Sequence, residues 1–253
     1  KRYFDEQLEF FNRWLPDNAT GQPADEAPVR IFVMGGGSGR KTEQGKLDHG
    51  GRWRNEQEWP LARRVETTYY LHSDGGLSTS EPGAGDAPLH YTLDPAHPVP
   101  TLGGLYCSQG ELPADGPGME PAWARLLNPV LRLRDLLTPG PVDQKEDPAF
   151  FGSEPPYPRL SDRPDVLVFQ TEPLTEPVEV TGRMKVNLWI SSSAIDTDFT
   201  AKVIDVYPAN EDYPEGFDML LNDSIIRCRY REGYDKEVMM TPGEVYPVTI
   251  ELP

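Results

Sequence analysis

From Val178 to Pro208 the chain reads VEVTGRMKVNLWISSSAIDTDFTAKVIDVYP, and no other stretch constrains the fold as much. Val178, Val180, Gly182, Met184, Val186, Leu188 and Ile190 fall on one side of an extended chain, and Glu179, Thr181, Arg183, Lys185, Asn187 and Trp189 on the other. A repeat of two fits a strand and no helix. The second half repeats it, with Phe199, Ala201, Val203, Asp205 and Tyr207 opposite Thr200, Lys202, Ile204 and Val206. Between the halves, SSSAIDTD is rich in side chains that bond their own backbone. The expectation is a pair of long antiparallel strands, half-buried and joined by a polar loop.

The rest of the chain is read around that pair. Tyr3 to Leu15 predicts a helix, because Phe4, Leu8, Phe11 and Leu15 recur at helical spacing and Tyr3, Phe10 and Trp14 widen the stripe. DNATGQPADEAP then reads as a connector. VRIFVM from Val29, VETTYYLH from Val65, LHYTL from Leu89, DVLVFQTEPL from Asp165, SIIRCRYRE from Ser224 and YPVTIEL from Tyr246 read as further strands. Within the irregular region between Gly104 and Pro164, the run Ala122–Leu137 has a helical pattern interrupted by Pro129. The 27 prolines and 23 glycines in 253 residues favour short strands between frequent turns. Seven or eight strands with crossovers too long for hairpins imply a mainly β chain, a two-sheet sandwich of jelly-roll type.

A formal charge of −17 argues against a nucleic-acid partner, whose phosphates would be repelled. No apolar run is long enough to span a membrane, and KRYFDEQLEFF is not a signal peptide. Cys107 and Cys228 make neither a disulfide framework nor a metal site, and Cys228 reads as a small buried residue in a strand.

Local chemistry is sparse. GGGSGRKT, Gly35 to Thr42, resembles a phosphate loop, but Arg40 stands where a glycine must precede the lysine, so it reads as a mobile glycine-rich loop. No serine sits in a G-x-S-x-G elbow. Of His49, His72, His90 and His97, none has a recognisable nucleophile or metal spacing, and only His49, beside Asp48, draws notice as a base. Asp196, Asp198 and Asp205 invite a calcium site, against which stands a loop whose carboxylates accept backbone N–H bonds. Trp53, Trp59, Tyr69 and Tyr70 suit either a sugar-stacking face or core packing.

Nine collinear blocks carry a resemblance to a known family: FFNRWL, PVRIFVMG, NEQEWPLAR, TTYYLHSDGGLS, DPAHPVPTLGG, GPVDQ, RPDVLVFQTEPLTEPVEVTG, SSSAIDTDFTAKVIDVYP and IIRCRYREG. In this order they resemble the bacterial cocaine esterase-like hydrolases and X-prolyl dipeptidyl-peptidases of the CocE/NonD family. The resemblance runs from about Phe4 to Leu252 and departs between Leu105 and Pro139. It implies a last helix of an α/β-hydrolase core with its connector (1–27), then a C-terminal jelly roll similar to galactose-binding domains (28–253). An insertion lies at about 105–164, and the jelly roll is cut short at its C-terminus.

The resemblance further implies that the catalytic Ser, Asp and His lie upstream of Lys1, so that no residue of this chain is catalytic and the chain alone is inactive. Leu105 and Tyr106, after PTLGG, are the positions it places nearest the substrate pocket. The implied partners are the α/β-hydrolase core and cap of the same protein and a small ester or peptide substrate; a homodimer is left open. No metal or organic cofactor is implied. The competing reading is a noncatalytic β-sandwich that binds carbohydrate or protein.

Overall fold

The computed structural model describes residues 3–15, 27–103, 140–148, 150 and 152–252. They fall into two units, one of residues 1–36 and 50–64, the other of residues 37–49 and 65–253. In the first unit, helix α1 (Tyr3–Trp14) forms where the apolar spacing predicts it. Asp5 and Glu6 in its first turn and Arg13 in its last complement the helix dipole. Phe4, Leu8, Phe11 and Leu15 share one stripe, and all four are exposed.

The same unit holds an antiparallel pair, β1 (Val29–Gly36) and β2 (Gly50–Glu56). Strand β2 goes unread in the sequence because GGRWRNE places charge and glycine where alternation would show. Its partner settles it: Phe32 lies opposite Trp53, ring edge to face with centroids 5.4 Å apart, and the Arg30 guanidinium covers the indole at 4.5 Å. Gly51 is required here, since at its φ of +119° a Cβ would stand 2.4 Å from the Phe32 ring. Glu56 is buried where β2 ends. The Arg63 guanidinium, helped by Arg54, holds its carboxyl below the ordinary range against the cost of burial.

The second unit is a β-sandwich. A short pair, β3 (Tyr70–Leu71) with β4 (Leu77–Ser78), precedes four longer strands: β5 (Met184–Ile190), β6 (Asp198–Tyr207), β7 (Phe217–Arg227) and β8 (Tyr246–Leu252). Both halves of the 178–208 stretch are strands, but they do not pair with each other. β5 pairs antiparallel with β8, and β6 with β7, so SSSAIDTD carries the chain from one sheet to the other. The physical reason lies in the apolar faces. A β5–β6 hairpin would put both on the same side of one sheet, whereas the crossover turns them toward each other.

Between the sheets lie Ile190, Val248, Ile250, Cys228 and Met240, with Val186, Leu188, Phe199, Ala201, Ile226 and Tyr246 packed against them. Ile250 is only 1% exposed. Outward, the β5–β8 ladder sets Lys185 against Glu251, Asn187 against Thr249 and Trp189 against Pro247, the first two pairs joined at 3.2 Å and 2.9 Å. The strand starts later than the alternation suggests, for Val178 and Val180 precede β5 and are exposed. Cys228 is buried as expected, though it opens a 3-10 turn (Cys228–Tyr230) and not a strand. Burial pushes its thiol pKa up.

Other strand expectations shrink. VETTYYLH yields only β3, and the runs from Leu89 and Asp165 form none, apart from a single parallel bridge between Gln170 and Gly76. Prolines bound the first run at Pro88 and Pro95, and the second follows Pro164 and contains Pro173, positions that cannot donate to a ladder and so limit how far a strand can extend. The expected helix Ala122–Leu137 lies outside the described residues.

A second apolar cluster, Leu47, Phe217 and Met219 with Tyr207, Tyr213 and Leu221, sits where β6 ends and β7 begins. The chain reverses there through Gly216, whose φ is +79° and whose missing Cβ would stand 2.8 Å from the Tyr207 carbonyl oxygen. Gly216→Ala is therefore expected to cost about 1–3 kcal/mol, read from the urea midpoint at unchanged slope. A variant as stable as the parent would contradict this account of the turn.

Residues 142–146 are fastened to β7 by Arg159. Its guanidinium donates to Asp143 Oδ1 at 3.2 Å, Asp218 Oδ2 at 2.9 Å, and the carbonyls of Glu215 and Gly216 at 2.9 and 3.0 Å. Among the described residues no helix is long and apolar enough to cross a membrane.

Candidate functional site

Leu105 and Tyr106, the residues expected nearest a substrate pocket, lie outside the described residues. The remaining candidates can each be placed. The glycine-rich loop is not mobile but pinned. Ser38 N–H and Oγ–H donate to Asp48 Oδ2, Gly39 N–H to the Asp48 carbonyl, Arg40 N–H to Ser38 Oγ, Lys41 N–H to Asp212 Oδ2 and Thr42 N–H to the Lys46 carbonyl. Five successive backbone donors, Ser38 to Thr42, are thus engaged, two of them by carboxylates, and none of the five is left to cradle a phosphate.

Arg40 completes the clip with Nε on Asp212 at 2.6 Å and a second nitrogen on Glu211 at 2.9 Å. Those bonds hold the Asp212 carboxyl below its usual range. Lys41 Nζ lies 5.1 Å from the centre of the Tyr213 ring. His49 gains no carboxylate from its neighbour, because Asp48 Oδ2 is turned to Ser38, and its Nδ1 is buried without a hydrogen-bond partner among the described residues. That removes the arrangement a general base requires.

The calcium reading fails on pairing. Asp196 accepts from Arg229 N–H at 2.9 Å and Arg229 Nε at 2.7 Å, and Asp198 forms a fork with Arg227 at 2.8 and 2.9 Å. Asp205 lies seven residues along β6 from Asp198, about 23 Å of extended chain, beyond any shared ion. Its charge instead adds to the burial that pushes Tyr207 up to about 12. Among the described residues no group of three or more His, Cys, Asp or Glu could hold a metal. Trp53 and Trp59 belong to the first unit, Tyr69 and Tyr70 to the second, and Trp53 already stacks under Arg30.

One constellation escapes the sequence reading. His72 Nε2 lies 2.9 Å from Ser78 Oγ, and His72 Nδ1 lies 3.6 Å from Asp86 Oδ2, the order of a serine, a base and an orienting acid. Its details argue for a fastener and not a nucleophile. Ser80 N–H donates to Ser78 Oγ, and Asp86 spends both oxygens on Ser73 N–H, Ser73 Oγ–H and Gly83 N–H. The Ser73 bonds, above all, hold Asp86 below its ordinary range. The nearby donors Gly75, Gly76 and Leu77 N–H are bound to the His72 carbonyl, Asp74 Oδ1 and the Gln170 carbonyl, so they offer no cradle for an oxyanion. The group ties the β3–β4 turn to the 83–86 loop. The only signal for it in the sequence is the six-residue separation of His72 and Ser78 across a Gly-Gly turn.

Among the described residues, the polar clusters of the sandwich are spent on its own loops. The family of the X-Pro dipeptidyl-peptidase C-terminal non-catalytic domain matches residues 21–253, and the chain belongs to it.

The cocaine esterase of Rhodococcus sp. (strain MB1 Bresler) is 35% identical over 262 residues, covering 100% of this chain and 34% of that protein. An α-amino acid ester hydrolase structure superposes with a TM-score of 0.61 at 29% identity, over 96% of this chain and 33% of the other. An aminopeptidase from the marine sediment archaeon Thaumarchaeota archaeon gives 0.61 at 26% identity, over 99% and 34%. The chain thus spans about a third of the length of these relatives and corresponds to the C-terminal portion of CocE/NonD-type hydrolases.

Proposed function

We propose that this chain is the noncatalytic jelly-roll part of a CocE/NonD-type serine hydrolase that cleaves carboxylic esters or amides, including X-Pro dipeptides. The observation that carries the reading is the match of residues 21–253 to a non-catalytic domain whose relatives devote the other two thirds of their length to something else. Residues 1–27 would be the last helix of the α/β core and its connector, and residues 28–253 the jelly roll. The exposed stripe of Phe4, Leu8, Phe11 and Leu15 supports this, because such a surface is costly to leave in water and the core is its natural cover.

In the whole enzyme a serine upstream of Lys1 attacks the carbonyl, a histidine shuttles the proton and an aspartate orients the histidine, while fixed donors hold the oxyanion. The jelly roll walls the acyl pocket, with Leu105 and Tyr106 nearest to it. Reading the gene upstream of Lys1 tests this. A G-x-S-x-G elbow followed by an Asp and a His is expected; an unrelated domain there would leave a β-sandwich that binds carbohydrate or protein.

A further inference from the structure

His97 is a histidine for which the activity has no use, and its surroundings in the second unit are unusually charged. Its Nδ1 lies 2.8 Å from Asp94 Oδ2 and its Nε2 3.8 Å from Glu154 Oε2, so the ring sits between two carboxylates from different turns. Its carbonyl accepts from Arg163 at 2.8 Å. Arg163 in turn forks onto Asp165 at 2.9 and 2.9 Å and reaches Glu146 Oε1 at 3.3 Å. Glu146 is buried and its Oε2 accepts Glu154 N–H at 3.0 Å, which closes the circuit. Among the described residues, with His97 neutral, Asp94, Glu146, Glu154 and Asp165 face one cation, Arg163. Protonation supplies a second cation at the point where the 94–97 turn meets the turn that carries Glu154.

We propose that His97 is a proton-operated tie: charged, it bridges Asp94 and Glu154 and holds those two turns together; neutral, it releases them. Only the cation donates from both ring nitrogens at once; Asp94 accepts at hydrogen-bond distance, and Glu154 stands at ion-pair distance on the other side. Asp94, the first influence, and then Glu154 raise the histidine above its ordinary 6.5, against the opposing charge of Arg163. A raised value means the tie is fully present below pH 6.5 and is lost as the pH climbs through the folded-state value.

Hydrogen exchange of the full-length protein, corrected for chemical exchange and read on peptides spanning 89–103 and 146–163, tests this at about pH 5.5 and about pH 8.5. Protection of both segments should fall about threefold from the lower to the higher pH. His97→Gln should show the low protection at both values, and His97→Lys, a permanent cation, the high protection at both. Unchanged protection in the parent protein, or a pH response that survives in His97→Gln, would overturn the proposal.

Discussion

Ile250→Ala is expected to cost about 2–5 kcal/mol of folding stability, toward the top of that range if the site does not collapse. Ile250 points from β8 into the space where Ile190, Val248, Cys228 and Met240 meet, and it is almost wholly removed from water. The two sheets touch mainly through such residues, so a cavity there weakens the contact between sheets and leaves each ladder intact. Denaturant unfolding should show the loss at an unchanged slope. Thr249→Ala on the same strand, whose hydroxyl donates to Asn187 Oδ1 on the outer, exposed face, should change stability by less than about 1 kcal/mol. Equal losses at the two positions would mean that the core does not lie where the alternation of β8 puts it.

Arg159→Ala is the second large effect, expected at about 3 kcal/mol near neutral pH. Four acceptors lose the guanidinium at once, and two of them, Asp143 and Asp218, are carboxylates left without their shared cation in a half-buried place, Asp143 keeping the Asp218 N–H. Burial already pushes the Asp143 carboxyl up from its ordinary value, against the pull of Arg159. Without the arginine it rises further, so the variant's deficit should grow as the pH rises through that group and shrink in acid, where the carboxyls are neutral. Arg159→Lys should recover only part of the loss, because a single ammonium cannot reach the positions the planar fork spans. A deficit independent of pH would show that lost packing, and not the stranded charges, dominates.

Period-two patterning located β6 and β8 closely and placed β5 in the second half of an alternation that begins six residues before the strand does. It could not say which strands pair. β5 and β6 share the same alternation, and nothing local distinguishes a hairpin from a crossover. The decision is made by β7 and β8, 27 residues and more downstream of β5. β2 was hidden because its stability comes from one aromatic pair and one arginine in place of an apolar face.

The polar clusters were harder still. Arg159 finds its carboxylates 16 and 59 residues away, and Arg40 finds its own 171 and 172 away. Short spacings therefore suggested a mobile loop and left a calcium site open beside a loop of backbone-bound carboxylates, where the fold supplies ion pairs and, at Asp196, a backbone N–H as well. Family membership was legible for a different reason: nine short blocks in a fixed order are improbable together even when each is weak.

On the proposed function, this domain belongs to a hydrolase whose reactive groups lie upstream of Lys1. Labelling the full-length protein with a fluorophosphonate probe and locating the adduct by peptide mass spectrometry tests it most directly. The adduct is expected on a serine upstream of Lys1, with none on Ser78 and unchanged labelling in Ser78→Ala. An adduct on Ser78, or on any other residue between Lys1 and Pro253, would contradict the account.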